Sequence, residues 1–357
     1  MPVDRLIAGT LEATAPPATG SGDSGSGTLR YVHGFEPGIS RVGSPGSFAY
    51  VAHDGTAVDD SATLERIHAL AIPPAWASVW ITPDPDAHLQ ATGFDSRGRK
   101  QYRYHPTWRE ARDALKFRDM EDFARAQPAL RSRISNNLNV GTELSHQRVL
   151  ALSLRLLDVG LFRVGSDRYA RENGHYGLTT LHLDQVAIRG GAAVFDYVGK
   201  EGRSRHVAVT DPEAVTGVAA LKRRRSGPEE LLAFRSPQGW TRVHREDVNN
   251  FLRAEAGGPF SAKEYRTWNA TVIAAVRLAE VRPAASRAPA VASQAVAQAL
   301  GNTPAVARRS YIDPRIFSLY VEGESIELDR LPDEPWERRA EIEARLLGAL
   351  DSDVRHV

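Results

Sequence analysis

The sequence predicts an α+β protein in which a small β-rich N-terminal domain precedes a larger, mainly α-helical domain with a three-stranded β insert. Three observations support this fold class. Short aromatic or β-branched runs, separated by Gly, Pro and Asp, fill residues 29–105. Apolar residues recur with helical spacing over most of residues 106–321. Alternating strand patterns return between residues 181 and 210, inside the helical region.

Four segments follow from composition. Residues 1–28 include a Pro-, Gly- and Ser-rich stretch that cannot bury apolar surface, so we expect a flexible leader there. Residues 29–105 form the β-rich domain and residues 106–321 the helical domain. Residues 322–357 form an acidic tail, and the sequence leaves open whether this tail folds against the rest of the protein.

The β-rich domain contains three strand-like runs and one helix. The runs are residues 48–52, 79–82 and 101–104. The helix is predicted over residues 61–71, with Ser61 as its cap and the Ile-Pro-Pro sequence after it as its stop.

The helical domain divides around the insert. Three helices are predicted before it, over residues 108–116, 120–133 and 142–159. The insert strands are residues 181–188, 193–198 and 205–210, joined by turns at 189–191 and 200–202. Lys200 therefore lies on a turn.

Four helices are predicted after the insert, over residues 212–223, 245–253, 262–281 and 289–300. Ser261-x-x-Glu264 matches a capping box at the start of the third. Gly301 ends the fourth, and Thr303 followed by Pro304 begins a short helix that leads to Tyr311.

Composition excludes several classes of chemistry. The chain has 357 residues and no cysteine, so disulfide frameworks, thiolate metal sites and cysteine nucleophiles are ruled out. No apolar run approaches the roughly 18 residues that span a bilayer, and no signal peptide is evident, which favours an intracellular protein. Histidines without metal-ligand spacing and the absence of a phosphate-binding loop argue against zinc and ATP, so we expect no metal and no cofactor.

Charge is distributed unevenly along the chain. The formal net charge is only +1, yet residues 61–321 carry 37 Lys and Arg against 26 Asp and Glu. Both flanking segments are acidic. A basic body with acidic ends suits a protein that binds phosphates, although a solvated charged surface has the same composition.

Four motifs, taken in order, carry a resemblance. They are residues 161–169 (LFRVGSDRY), 197–200 (YVGK), 263–268 (KEYRTW) and 302–311 (NTPAVARRSY). Together they resemble the catalytic motifs of type IB DNA topoisomerases, in particular the compact poxvirus-like branch found in bacteria. The resemblance implies a catalytic domain of the type IB topoisomerase and tyrosine recombinase kind.

The resemblance also implies five catalytic residues. Tyr311 would be the nucleophile that forms a 3′-phosphotyrosyl link, and Lys200 the general acid for the departing 5′ oxygen. Arg163 and Arg266 would clamp the scissile phosphate. Asn302 stands where poxvirus members have histidine, and its amide can donate a hydrogen bond to a phosphate oxygen but cannot carry positive charge.

Five further residues match DNA-contacting positions of the family. Gln101, Tyr102 and Tyr104 lie in a strand that resembles the DNA-contacting strand of its N-terminal β domain. Tyr169 and Lys263 match a tyrosine and a lysine near the two catalytic arginines. The expected partner is double-stranded DNA, bound by a monomer that closes around the duplex, without a membrane, in the cytoplasm and on the nucleoid.

Two other functions fit part of the sequence. A tyrosine recombinase acting on specific DNA sites would share the nucleophile and the arginine pair, but recombinases usually have histidine at the position of Lys263. A non-enzymatic architectural DNA binder would explain the basic body but not the ordered Arg, Lys, Arg, Asn, Tyr set. The favoured hypothesis is a type IB topoisomerase that relaxes positive and negative supercoils without ATP or an obligatory metal.

Overall fold

The computed structural model describes residues 29–281 and 286–353, and the leader expected over residues 1–28 lies outside these ranges. The predicted fold class is confirmed, because a β-sheet region is followed by a mainly helical region. The chain forms two compact units, and the division falls between Asp113 and Ala114.

The first unit is built on a five-stranded antiparallel sheet with strand order β2-β1-β3-β4-β5. Its strands are β1 (Ile39–Ser44), β2 (Ser47–Val51), β3 (Ala77–Ile81), β4 (Leu89–Phe94) and β5 (Lys100–Tyr104). Helix α1 (Ser61–Ala69) buries Ile67 against Val79 and Ile81 of the sheet. The three predicted strands and the helix are confirmed.

The prediction missed two strands and misplaced a cap. β1 is mostly exposed, so it lacks an apolar pattern. β4 contains Gly93, a residue that is unfavourable in a strand pattern, and a Cβ there would lie 2.9 Å from the Trp76 ring. The α1 cap is Asp60, not Ser61, because the Asp60 carboxylate accepts the Thr63 amide hydrogen at 2.8 Å.

The long helix α2 (Pro106–Asn139) replaces two predicted helices, so the predicted break near residue 118 is wrong. The helix continues because Phe117 and Met120 on either side of that point are both buried in the core of the second unit. Pro128 lies inside α2 without ending it.

The predicted insert is confirmed as a three-stranded antiparallel sheet with the order β6-β7-β8. Its strands are β6 (Val186–Arg189), β7 (Ala192–Val198) and β8 (Ser204–Val209). Between β7 and β8 the chain makes a short 3-10 turn over Lys200–Gly202. Glu201 adopts a left-handed conformation there, with φ of 66°.

Nine helices beyond α2 are described in the second unit. They are α3 (His146–Gly160), α4 (Asp167–Asn173), α5 (Pro212–Lys222), α6 (Arg245–Ala256), α7 (Ala262–Glu280), α8 (Ala288–Leu300), α9 (Pro304–Ser310), α10 (Arg315–Glu322) and α11 (Pro335–Asp353). A hairpin of β9 (Ala233–Ser236) and β10 (Gly239–Arg242), which the sequence did not predict, precedes α6.

Helix α7 is central to the second unit. Tyr265 and Trp268 are fully buried in its core. The predicted capping box is confirmed, because Ser261 donates its amide hydrogen to the Glu264 carboxylate at 2.8 Å. The start of α7, and therefore the position of every side chain on it, is fixed by this local interaction.

The acidic C-terminal segment folds into the second unit. Leu346 and Leu350 of α11 are buried in its core. The carboxylate of Glu343 on the same helix receives two hydrogen bonds from Arg131 of α2, at 2.7 and 2.9 Å. This result answers the question that composition left open for residues 335–350. None of the helices in the described ranges is both long and apolar enough to cross a bilayer.

Candidate active site

Tyr311 lies at the end of α9, where its backbone is held from two sides. The helix begins as predicted, with the Thr303 hydroxyl accepting the Val306 amide hydrogen at 3.3 Å. Thr271 of α7 donates its hydroxyl hydrogen to the Tyr311 carbonyl at 3.4 Å. The Lys116 ammonium donates to the neighbouring Ser310 carbonyl at 2.6 Å. The backbone at the end of α9 is therefore fixed, and the Tyr311 side chain that it carries is half-buried.

Arg163 joins two of the predicted residues. Its Nη1 donates to the Tyr311 hydroxyl at 3.2 Å and its Nη2 to the Asn302 Oδ1 at 2.8 Å. Arg163 follows α3 after a left-handed residue, Leu161, with φ of 53°. The guanidinium fork thus gathers side chains that are 148 and 139 positions away in sequence.

Arg266 occupies the other side of Tyr311. It is only 4% exposed, and its guanidinium carbon lies 5.4 Å from the centre of the Tyr311 ring. Its Nη1 donates to the Leu161 carbonyl and its Nη2 to the Leu300 carbonyl, the latter at 2.9 Å. Burial, and then repulsion from Arg163, lowers the pKa of Arg266 to about 10, so it remains charged at neutral pH.

The two arginines change the acidity of Tyr311. Burial alone raises the pKa of its phenol, but the positive charges of Arg266 and Arg163 outweigh that effect. The pKa of Tyr311 is therefore below its ordinary value. A tyrosine oxygen between two cations is more readily deprotonated and thus better suited to attack an electrophile.

Two hydrogen-bond donors in this cluster have no protein acceptor within the described ranges. They are Asn302 Nδ2 and Arg266 Nε, and both are buried. A buried donor without an acceptor costs about 1–3 kcal/mol. An anionic ligand between these side chains would satisfy both donors, which is consistent with binding of a phosphate group.

Lys200 stands apart from the other four predicted catalytic residues. Its side chain is 61% exposed and its ammonium lies 4.0 Å from the Glu201 carboxylate. It shares a small cleft with both arginines, and the cleft is lined by five cationic side chains: Arg163, Lys200, Arg203, Arg205 and Arg266. Among the described residues that line this cleft, none is acidic. The structure therefore brings Arg163, Arg266, Asn302 and Tyr311 into contact and places Lys200 at the same cleft.

Tyr169 and Lys263 are solvent-exposed in the second unit. Tyr169 on α4 is 48% exposed. Lys263 lies in the first turn of α7, one turn before Arg266, and is exposed. Both side chains are accessible to a ligand, and neither makes a hydrogen bond with the four clustered residues in the part of the chain that is described.

The three residues predicted to contact DNA in the first unit all lie on β5, but not on one face. Tyr102 and Tyr104 are two positions apart, share a face and stack, with ring centres 6.0 Å apart. Tyr102 is 45% exposed. Gln101 lies on the opposite face and donates to the Asp95 carboxylate at 2.9 Å. Only the tyrosines form one shared surface.

Sequence reasoning missed several residues that shape the site. Lys116 donates to the Ser310 carbonyl and Thr271 to the Tyr311 carbonyl. Arg205 lines the cleft that contains Lys200. No local pattern could have identified Lys116, because its contact with Ser310 spans 194 positions. Across residues 29–281 and 286–353, no group of three or more His, Asp or Glu side chains could hold a metal ion.

Comparison with known protein families agrees with this fold. Residues 47–95 match the family model of the N-terminal domain of bacterial DNA topoisomerase IB. Residues 105–315 match the catalytic core of eukaryotic DNA topoisomerase I. This second match covers more than half of the chain, and the chain belongs to the type IB DNA topoisomerase family.

Individual relatives come from large DNA viruses. The chain is 29% identical over 311 residues to the DNA topoisomerase 1B of Acanthamoeba polyphaga mimivirus, covering 84% of this chain and 92% of the viral protein. It is 23% identical over 271 residues to the DNA topoisomerase 1B of Vaccinia virus (strain Copenhagen), covering 73% and 83% respectively.

Proposed function

We propose that this protein relaxes supercoiled DNA by cutting one strand of the duplex with Tyr311, allowing rotation, and resealing the strand. One observation carries the proposal: Arg163 contacts both the Tyr311 hydroxyl and Asn302, in a partly buried cluster that Arg266 completes. A phenol with a lowered pKa beside two fixed cations is the arrangement that attack on a phosphodiester requires.

In the cutting step, the Tyr311 phenol loses its proton to solvent and its oxygen attacks the scissile phosphorus. A 3′-phosphotyrosyl bond forms as the bond between the phosphorus and the bridging 5′ oxygen breaks. Arg163 and Arg266 stabilise the negative charge that builds on the non-bridging oxygens, because guanidinium groups donate two hydrogen bonds to such an anion. Asn302 donates a third, neutral hydrogen bond through Nδ2, the atom that is buried without an acceptor.

Departure of the 5′ end of the cut strand needs a proton. Lys200 supplies it to the 5′ oxygen, which leaves as a hydroxyl group, and takes it back when that hydroxyl attacks the phosphotyrosyl bond during resealing. Lys200 lies on an exposed turn, at the cleft that Arg163 and Arg266 also line. This position suits a proton donor that contacts the DNA from outside the cluster of the other four residues.

The reaction needs neither ATP nor an obligatory metal. One phosphodiester is exchanged for another of similar energy, so resealing requires no external energy source. The torque stored in supercoiled DNA drives rotation between the two steps, and for that reason positive and negative supercoils are both relaxed. The cationic cleft supplies the charge stabilisation that a metal provides in other phosphoryl-transfer sites.

The proposed substrate is double-stranded DNA, bound by a monomer in the cytoplasm and on the nucleoid. Tyr169 and Lys263 would contact the phosphate backbone next to the cluster. Tyr102 and Tyr104 would contact the duplex through the stacked face of β5. Gln101, on the other face, would have to leave Asp95 to reach DNA.

The test uses purified protein, supercoiled plasmid and EDTA, with no ATP. The wild type should relax plasmids of either supercoil sign and form a covalent complex with DNA that SDS traps. Tyr311→Phe keeps the ring but lacks the nucleophilic oxygen, so it should bind DNA and do neither. Relaxation by the Tyr311→Phe protein would show that another group cuts the strand.

A further inference from the structure

Arg205 connects the sheet that carries Lys200 to the helix that precedes Asn302. It lies on β8, opposite Tyr197 on β7. Its Nη2 donates to the Ala299 carbonyl at 2.8 Å and its Nη1 to the Gln298 carbonyl at 3.4 Å. Both acceptors belong to the last turn of α8, whose carbonyls have no partner within the helix. A cation at this end of a helix is also favoured by the helix dipole.

Two glycines make room for the Arg205 side chain. A Cβ on Gly301 would lie 2.4 Å from Arg205 Nη1, and a Cβ on Gly199 would lie 3.2 Å from Arg205 Cγ. Gly301 also has φ of 66°, the left-handed conformation that ends α8. Any larger residue at position 301 would therefore displace the guanidinium as well as strain the helix end.

These two glycines directly precede two of the proposed catalytic residues. Gly199 is followed by Lys200, and Gly301 is followed by Asn302. The Lys200 turn itself closes on a hydrogen bond from the Gly199 amide to the Arg203 carbonyl at 2.8 Å. Arg205 thus connects the Lys200 turn to the end of α8: its stem lies beside Gly199, and its guanidinium bonds the carbonyls that precede Gly301 and Asn302.

We propose that Arg205 is a positioning residue that fixes the β7–β8 turn against the end of α8, so that Lys200 reaches the departing 5′ oxygen. This inference rests on the proposed function, because it assumes that Lys200 is the general acid. We assign Arg205 this role because its guanidinium bonds the Gln298 and Ala299 carbonyls while its stem lies beside Gly199, the residue before Lys200.

A chemically altered substrate tests this role. On a duplex built around a mapped cleavage site, the bridging 5′ oxygen of the scissile phosphate is replaced by sulfur. A thiolate departs without a proton, so cleavage of this substrate does not need the general acid. Single-turnover cleavage of the oxygen and sulfur substrates is then compared for wild type, Arg205→Met, Lys200→Met and a control.

Arg205→Met should cleave the oxygen substrate about tenfold more slowly than wild type and the sulfur substrate within about threefold of it. Arg189→Met is the control, because Arg189 is an exposed cation at the opposite end of the same sheet. It should cleave both substrates like wild type. Should Arg205→Met fail to fold, Arg205→Lys keeps the charge but cannot bond both carbonyls as a fork, and it should show the same selective loss.

Equal slowing on both substrates would overturn the inference, because it would place Arg205 in phosphate binding or in general stability. Full activity of the Arg205 variants on the oxygen substrate would overturn it as well. Failure of the proposed function looks different. In that case wild type forms no covalent complex with DNA, or Lys200→Met is slowed equally on the oxygen and sulfur substrates, which would show that Lys200 is not the general acid.

Discussion

The two sides of the candidate site are built differently. Arg163, Arg266, Asn302 and Tyr311 form a partly buried cluster whose members bond to each other and to backbone carbonyls. Lys200 sits on an exposed turn, and its nearest described ionic partner is the neighbouring Glu201 at 4.0 Å. The proposed nucleophile and phosphate-binding groups are thus joined to one another in the second unit, whereas the proposed acid lies on an exposed turn.

This difference separates two kinds of catalytic contribution. Groups that stabilise charge must be held rigidly, because their benefit depends on being oriented before the reaction begins. A proton donor has only to be in reach when the leaving group departs. Substitutions in the buried cluster should therefore affect both catalysis and stability, and substitutions at the turn should affect catalysis alone.

The largest effect is expected for Arg266→Lys. A lysine cannot bond the Leu161 and Leu300 carbonyls together, nor offer a fork to the phosphate. Cleavage of bound DNA should slow by about 10³-fold. The free energy of unfolding, measured by urea titration, should fall by about 1–3 kcal/mol. Unchanged stability would mean that the arginine is not part of the packed core.

Lys200→Met should slow cleavage by about 10²-fold while leaving folding intact. The side chain is mostly exposed, so its removal should change the free energy of unfolding by less than about 0.5 kcal/mol. Single-turnover cleavage and urea titration of the same preparation provide the comparison. A clear loss of stability would contradict the distinction between the core and the edge of the site.

Arg163→Met should move the pH dependence of cleavage. The positive charge of Arg163 helps to lower the pKa of Tyr311, so its removal raises that pKa. The rise of the cleavage rate with pH should then occur at higher pH than in wild type, and the defect should shrink as the pH increases. Arg277→Met is the matched control, because Arg277 is an exposed residue near the end of α7 that pairs with Glu280. If Arg163→Met left the pH profile of cleavage unchanged, Arg163 would not be responsible for lowering the pKa of Tyr311.

The smallest effect is expected for Asn302→Ala. Loss of one hydrogen bond to a charged oxygen should slow cleavage about tenfold, and DNA affinity should remain near that of wild type. Asn136→Ala, at an exposed position of α2, should change neither quantity. If affinity fell and cleavage of bound DNA did not, Asn302 would serve to hold the structure and not to stabilise the reaction.

Elements governed by neighbouring residues were predictable from the sequence. The Ser261 capping box, the Thr303 cap and the Gly301 helix end each depend on residues within one helical turn. The predicted break in α2 failed because burial of Phe117 and Met120 in the core outweighed a weak local pattern. Tertiary packing of this kind leaves no signal in a short window of sequence.

Prediction of the candidate site from the sequence is limited in the same way, because its contacts also depend on tertiary packing. The motifs predicted a set of residues of which the structure brings Arg163, Arg266, Asn302 and Tyr311 together. The sequence could not give the Arg163 contact with Tyr311, which depends on the left-handed Leu161 that redirects the chain after α3. The alternation of side chains along β5 already places Gln101 opposite Tyr102 and Tyr104, but the sequence could not give the bond from Gln101 to Asp95.

The buried ionic network of α11 has a consequence for synthesis of the protein. Arg339 of this helix bonds to Asp158 of α3 and to Asn269 of α7, one turn after Arg266. The ribosome adds Tyr311 to the chain before it adds Arg339, so these contacts form only after Tyr311 has been synthesised. A nascent chain that ends shortly after Tyr311 therefore has only Arg131, among the described residues, to pair with Asp158, and it lacks the Arg339 contact with α7. The network around Asp158 is thus completed only after Tyr311 has been synthesised.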